Sequence, residues 1–196
     1  MTYMAFKSLV EQSMFIQTEE TPNPATLKFL PGRAVVEQGN VDFASSEGAA
    51  RSPLADRLFK VEGVERVFLG QDFVTITKSD QKDWAVLKPA LLGVIMEHFV
   101  SGQPVLLESG TAVAAGADEE DDEIVAQIKD LLETRVRPAV AQDGGDIIFD
   151  SFKDGVVYLH MQGSCSGCPS STATLKMGIE NMLRHYVPEV MEVRPV

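Results

Sequence analysis

The two cysteines of this 196-residue chain stand together, in Gly163-Ser164-Cys165-Ser166-Gly167-Cys168-Pro169. A C-x-x-C pair can bind metal or exchange with a disulfide. It falls between a β-rich run and a helical one, so it is expected on a loop at a helix N-terminus, outside either core. There, unpaired N–H groups and the positive dipole end favour thiolate over thiol. Gly163 and Gly167 permit positive φ and close approach of a ligand, and Pro169 suits a first helical turn. Thiolates are soft ligands that select zinc, Cu(I) and iron–sulfur clusters. Closed zinc sites and [4Fe–4S] clusters commonly take four protein ligands. One chain offers two, with no second C-x-x-C, and His98, His160 and His185 sit in helical or strand patterns that read as structural. If the pair coordinates metal, the missing thiolates come most simply from a second copy, since a twofold dimer supplies four by symmetry. A site at a subunit boundary can be opened, which suits transfer.

The elements that must position this loop follow from periodicity. Apolar residues at Ile124, Ile128, Leu131 and Leu132 predict an amphipathic helix, perturbed by Pro138 and ended by Asp143-Gly144-Gly145-Asp146. DIIFDSF (146–152) and GVVYLHM (155–161) read as strands joined across Lys153-Asp154. A helix is expected over about 170–186, and a short last strand over Val190 to Val193. Ahead of these, Phe15-Ile16 and Leu27-Phe29-Leu30 read as short strands around the turn residues Pro22, Asn23 and Pro24. Ser52 and Pro53 open a short helix over 52–59. VERVFLG (64–70) and FVTITK (73–78) form a hairpin. A longer helix spans about 83–100, where Pro89 is expected to kink it or confine its first turns.

Strand pairs alternating with helices indicate an α+β protein, here two small α/β domains, 14–107 and 122–196, joined by an acidic linker over 108–121. The block Asp118-Glu119-Glu120-Asp121-Asp122-Glu123 repels itself and is expected to stay extended and flexible. The net charge of −12 argues against non-specific nucleic-acid binding and against an anionic membrane surface, both of which recruit Lys and Arg. No uninterrupted apolar run approaches the ~18 residues of a membrane span. Residues 1–13 carry one Lys, one Glu and no apolar core, so they read as a disordered extension rather than a signal or presequence. On that ground a bacterial cytoplasm is expected ahead of a mitochondrial matrix, and Met14 competes with Met1 as the start of translation.

At this point a resemblance becomes specific. EIVAQIKDLLETRVRPAVAQDGGDIIF, GVVYLHMQGSCSGCPSSTATLKMGIENMLR and, ahead of them, MFIQTEETPNPATLKFLPG resemble the two domains of Nfu-type iron–sulfur scaffold and carrier proteins, the second shared with the C-terminal domain of NifU. The resemblance implies a non-enzymatic protein whose Cys165 and Cys168, contributed by each of two subunits, hold a [4Fe–4S] cluster. It further implies a homodimer on cluster binding, assembly proteins that load it and apo-proteins that receive it, with the front domain as a docking module. Two other readings of the pair remain at this stage: a thiol–disulfide oxidoreductase with Cys165 as nucleophile and Cys168 as resolving thiol, and a structural zinc dimer.

Overall fold

The computed structural model describes residues 15–107, 123–167 and 169–196. The expected extension over 1–13, the expected linker over 108–121 and Cys168 itself lie outside them. The chain folds as two small α/β domains. The front one is built on strands β1 (Gln17–Glu20), β2 (Thr26–Leu30), β3 (Val41–Phe43), β4 (Val64–Leu69) and β5 (Val74–Lys78). They form one antiparallel sheet in the order β1-β2-β5-β4-β3. A 3-10 turn over Ser46–Arg51 and helices α1 (Pro53–Phe59) and α2 (Trp84–Ser101) complete it.

Local chemistry sets these ends. Ser52 caps α1 by accepting from the Ala55 N–H at 3.1 Å, with Pro53 in the first turn. Asp83 caps α2 by accepting from the Ala85 N–H at 2.9 Å, and Gly102 at φ 67° closes it. Pro89 does not break α2; it stands early in the helix with its ring facing outward. By length and apolarity alone α2 could cross a bilayer, but Leu87, Leu91 and Ile95 along one side pack into the front core. There they meet Leu54, Leu58 and the inward row Leu27, Phe29, Val74 and Ile76, each buried side chain stabilising by about 1.5–3 kcal/mol.

Two expectations shift. The first strand starts at Gln17, with Phe15 76% exposed and Ile16 turned into the core. The short β3 carries no alternation long enough to read in a sequence.

The back domain begins with α3 (Glu123–Leu131), which passes through a π-helical turn over Leu132–Val136 into α4 (Arg137–Gln142). Pro138 sits in the first turn of α4, where its missing N–H costs least. Strands β6 (Gly145–Lys153) and β7 (Val156–Gly163) pair antiparallel through the turn at Asp154 and Gly155, both at positive φ. After α5 (Pro169–Tyr186), β8 (Glu192–Pro195) joins β7 in parallel. This last strand lies slightly later than expected, because the Val190 N–H is used in a turn on the Val187 carbonyl at 3.0 Å. Ile128, Leu132, Ile147, Leu159, Ile179 and Leu183 form the centre of this second core.

The outer face of the front sheet is also buried. By strand alternation Lys28, Thr75 and Phe68 share that face, side by side across β2, β5 and β4. Lys28 is 7%, Thr75 1% and Phe68 0% exposed. What covers them is the back domain, along β7 and the Gly144-Gly145 turn.

Candidate functional site

The loop that carries Cys165 is built against the Gly144-Gly145 turn. Gly145 and Gly163 are register partners at the ends of β6 and β7. The Ser164 N–H donates to the Gly144 carbonyl at 3.2 Å, and the Ser164 hydroxyl to the Asp143 carbonyl at 2.6 Å. The Cys165 N–H bonds the Gln162 carbonyl at 3.3 Å, and the Thr172 hydroxyl of α5 donates to the Cys165 carbonyl at 3.1 Å.

Side chains are excluded where the two segments cross. A Cβ on Gly145 would stand 2.5 Å from Cys165 Sγ and 2.9 Å from the Gln162 oxygen. One on Gly163, at φ 61°, would stand 2.6 Å from the Gly144 oxygen. The glycine pair of Asp143-Gly144-Gly145-Asp146 therefore makes room for the cysteine loop.

Cys165 does not stand outside the core, as the sequence led us to expect. It is 6% exposed, belongs to the back core, and lines a cleft of about 600 Å³ together with Val140, Leu175, Ile179, Met182 and Pro22. Burial pushes its thiol up to about 11. The Ser164 hydroxyl opposes this in part, and the carboxylates of Asp143 and Asp146 add to it. The environment thus holds Cys165 as a thiol, because desolvation outweighs any help from a helix terminus. The position of Cys168 relative to it lies outside the described residues.

A residue that sequence reasoning passed over orders this loop from beneath. Asp146 is 3% exposed and is gripped by the Arg137 guanidinium, Nε to Oδ1 and Nη2 to Oδ2 at 2.8 Å each. Arg137 also reaches Glu133 at 2.6 Å, and these carboxylates raise its already high pKa further. Asn40, from the front domain, donates to Asp146 Oδ2 at 2.9 Å. The spacing of Arg137 and Asp146 across the end of α4 was the available signal.

The histidines stay apart from Cys165. His160, half-exposed on β7, faces Asp150 at 3.3 Å and the Val196 carbonyl at 3.2 Å. His98 lies buried on α2, and His185 packs edge-on against Tyr186. Among the described residues no three His, Cys, Asp or Glu side chains gather to hold a metal ion.

Comparison with known proteins gives this geometry its context. Residues 16–102 match the family model "Scaffold protein Nfu/NifU N terminal", and residues 128–194 match "NifU-like domain". The human protein "NFU1 iron-sulfur cluster scaffold homolog, mitochondrial" is 54% identical over 184 residues, covering 93% of this chain and 72% of its own length. The chain belongs to the Nfu/NifU family. Its cysteine loop falls within the NifU-like part and its five-stranded sheet within the Nfu N-terminal part. A second relative in this family, "NifU-like protein 4, mitochondrial" of Arabidopsis thaliana, is 54% identical over 186 residues, 93% of this chain and 66% of that protein. The solution NMR structure of a NifU-like protein from Saccharomyces cerevisiae covers 55% of this chain and 97% of that one, at 23% identity and a TM-score of 0.47.

These family members correct the expected compartment. A bacterial cytoplasm was inferred from the composition of residues 1–13 alone, while relatives more than half identical along nearly the whole chain are named mitochondrial. The composition of thirteen residues carries far less information than the long matched sequence behind it.

Proposed function

We propose that this Nfu/NifU-family chain is an iron–sulfur cluster scaffold in which Cys165 and Cys168 of two chains together hold one [4Fe–4S] cluster and release it to apo-proteins. The carrying observation is the glycine-built loop that places Cys165 in the wall of a cleft with a second thiol three residues on in the sequence. The names of the relatives support the scaffold role.

The chemistry is ligand exchange without net redox change. Each cysteine gives up its proton to water as its sulfur bonds iron, and the positive charge of the metal supplies the driving force that the buried thiol lacks alone. On delivery, a recipient thiolate forms a new iron–sulfur bond as Cys165 or Cys168 leaves, and the freed thiolate takes up a proton. The oxidoreductase reading finds no support in the site. Its attacking group must be a thiolate, and Cys165 is held buried and protonated.

Anaerobic reconstitution tests the assignment. Wild-type protein is expected to take up iron and sulfide, and Cys165→Ser and Cys168→Ser to lose stable binding. Wild-type iron content in Cys168→Ser would refute the ligand set, and zinc in place of iron and sulfide would refute the cluster.

A further inference from the structure

The front domain grips the cysteine loop through its backbone. Asn23 Nδ2 donates to the Ser166 carbonyl at 3.2 Å, Thr75 Oγ1 to the Gly144 carbonyl at 2.7 Å, and Lys28 Nζ to the Gln142 carbonyl at 2.8 Å. The Phe68 ring closes over Gly163, whose Cα leaves no room for a side chain there, and Pro22 walls the cleft beside Cys165. These contacts fall on the segments that flank Cys165 before and after, and on the turn beneath it. Three buried polar side chains, Lys28 and Thr75 on the sheet face and Asn23 in the turn that precedes β2, donate to main-chain acceptors of the other domain. A buried donor without a partner is costly, so this face is made to be covered by these carbonyls.

With Cys165 Sγ packed over Gly145, the docked arrangement cannot present that sulfur to a second chain. Turning it outward moves Ser166 and Gly163, which the front domain holds.

We propose that the front domain is a latch on the cysteine loop of its own chain: docked, it keeps Cys165 inward, and it must lift away before two chains can share a cluster. This regulation rests on the scaffold reading of Cys165, but its test does not. In metal-free full-length protein carrying Cys168→Ser, Cys165 is the single cysteine, and its alkylation by iodoacetamide is followed by mass. Asn23→Asp removes the donor to Ser166 while keeping the Oδ1 that accepts the Ala25 N–H. Thr75→Val removes the donor to Gly144 at constant shape.

The double variant is expected to be alkylated about tenfold faster, as the loss of buried hydrogen bonds shifts the docking equilibrium. Thr75→Ser, which restores the hydroxyl, is expected to label as slowly as the parent. Lys28→Met serves as an independent break of the same face and is expected to accelerate labelling too. Equal rates in the parent, the double variant and Lys28→Met would overturn the latch, as would a Thr75→Ser protein as fast as Thr75→Val. If labelling accelerates but no variant with Cys168 intact takes up iron and sulfide, the latch stands and the scaffold reading fails.

Discussion

The two domains use their sheets in opposite ways. The front sheet buries an apolar face under α1 and α2 and a polar face against its neighbour. The back sheet buries one face, and the group with chemistry to offer, Cys165, lies in that same core. In the front domain Gly102 ends α2 in open space. In the back domain Gly145 and Gly163 let two backbone segments cross. The difference shows that the reactive loop is held by core packing and main-chain bonds rather than displayed on a surface, so its access is a matter of conformation.

The largest effect that would break this contrast comes from glycine. Gly145→Ala forces a Cβ into Cys165 Sγ and the Gln162 oxygen. It is expected to destabilise the back domain by about 2–3 kcal/mol, in the range of core overpacking, and to abolish cluster retention. Gly102→Ala, at φ 67° with nothing within 4 Å, carries only the left-handed backbone cost of about 1–2 kcal/mol and should leave cluster retention intact. Thermal unfolding with iron analysis of both variants checks the pair.

A second effect is electrostatic. Arg137→Met leaves Asp146, with its side chain 4% exposed, without its strongest partner, and about 2–3 kcal/mol is expected to be lost. In the front domain Arg66 bonds Asp42 through Nε at 2.9 Å, and the Asp42 side chain, 12% exposed, is more open to solvent than that of Asp146. Arg66→Met is expected to cost about 1 kcal/mol or less. Urea unfolding of the two variants measures the difference.

Much of this architecture was legible in the sequence, and the exceptions share a cause. Ser52-Pro53, Asp83 and the Asp154-Gly155 turn act within a few residues of themselves, so their helices and hairpins could be read locally. Lys28 and Thr75 alternate with apolar residues, and alternation reports which residues share a side and not what covers it. Cys165 was misplaced for the same reason. Flanking glycines signal an open loop equally well when they admit a second backbone, and the partner turn at Gly144 lies about twenty residues earlier in the chain. Asp146 looked like the end of a turn until Arg137 and Asn40 were brought to it by the fold.

The smallest expected effect separates the domains by pH. His98 is buried, neither ring nitrogen has a hydrogen-bond partner among the described residues, and burial together with the nearby Arg57 charge lowers its pKa. A lowered histidine pKa means that the unfolded chain binds the proton more readily. Stability is therefore full above the ordinary histidine pKa of about 6.5 and falls as pH drops below it. The front domain is expected to melt a few degrees lower at pH 5.5 than at pH 7.5, by about 2–5 °C. His98→Leu should flatten that dependence. Unfolding followed by the fluorescence of Trp84, which lies in the front domain, reads it out.

The proposed scaffold role requires that one cluster join two chains through Cys165 and Cys168. Native mass spectrometry of anaerobically reconstituted full-length protein tests it most directly. A dimer carrying about four iron and four sulfide is expected, reverting to cluster-free monomer on chelation. A complete cluster on a stable monomer would contradict it.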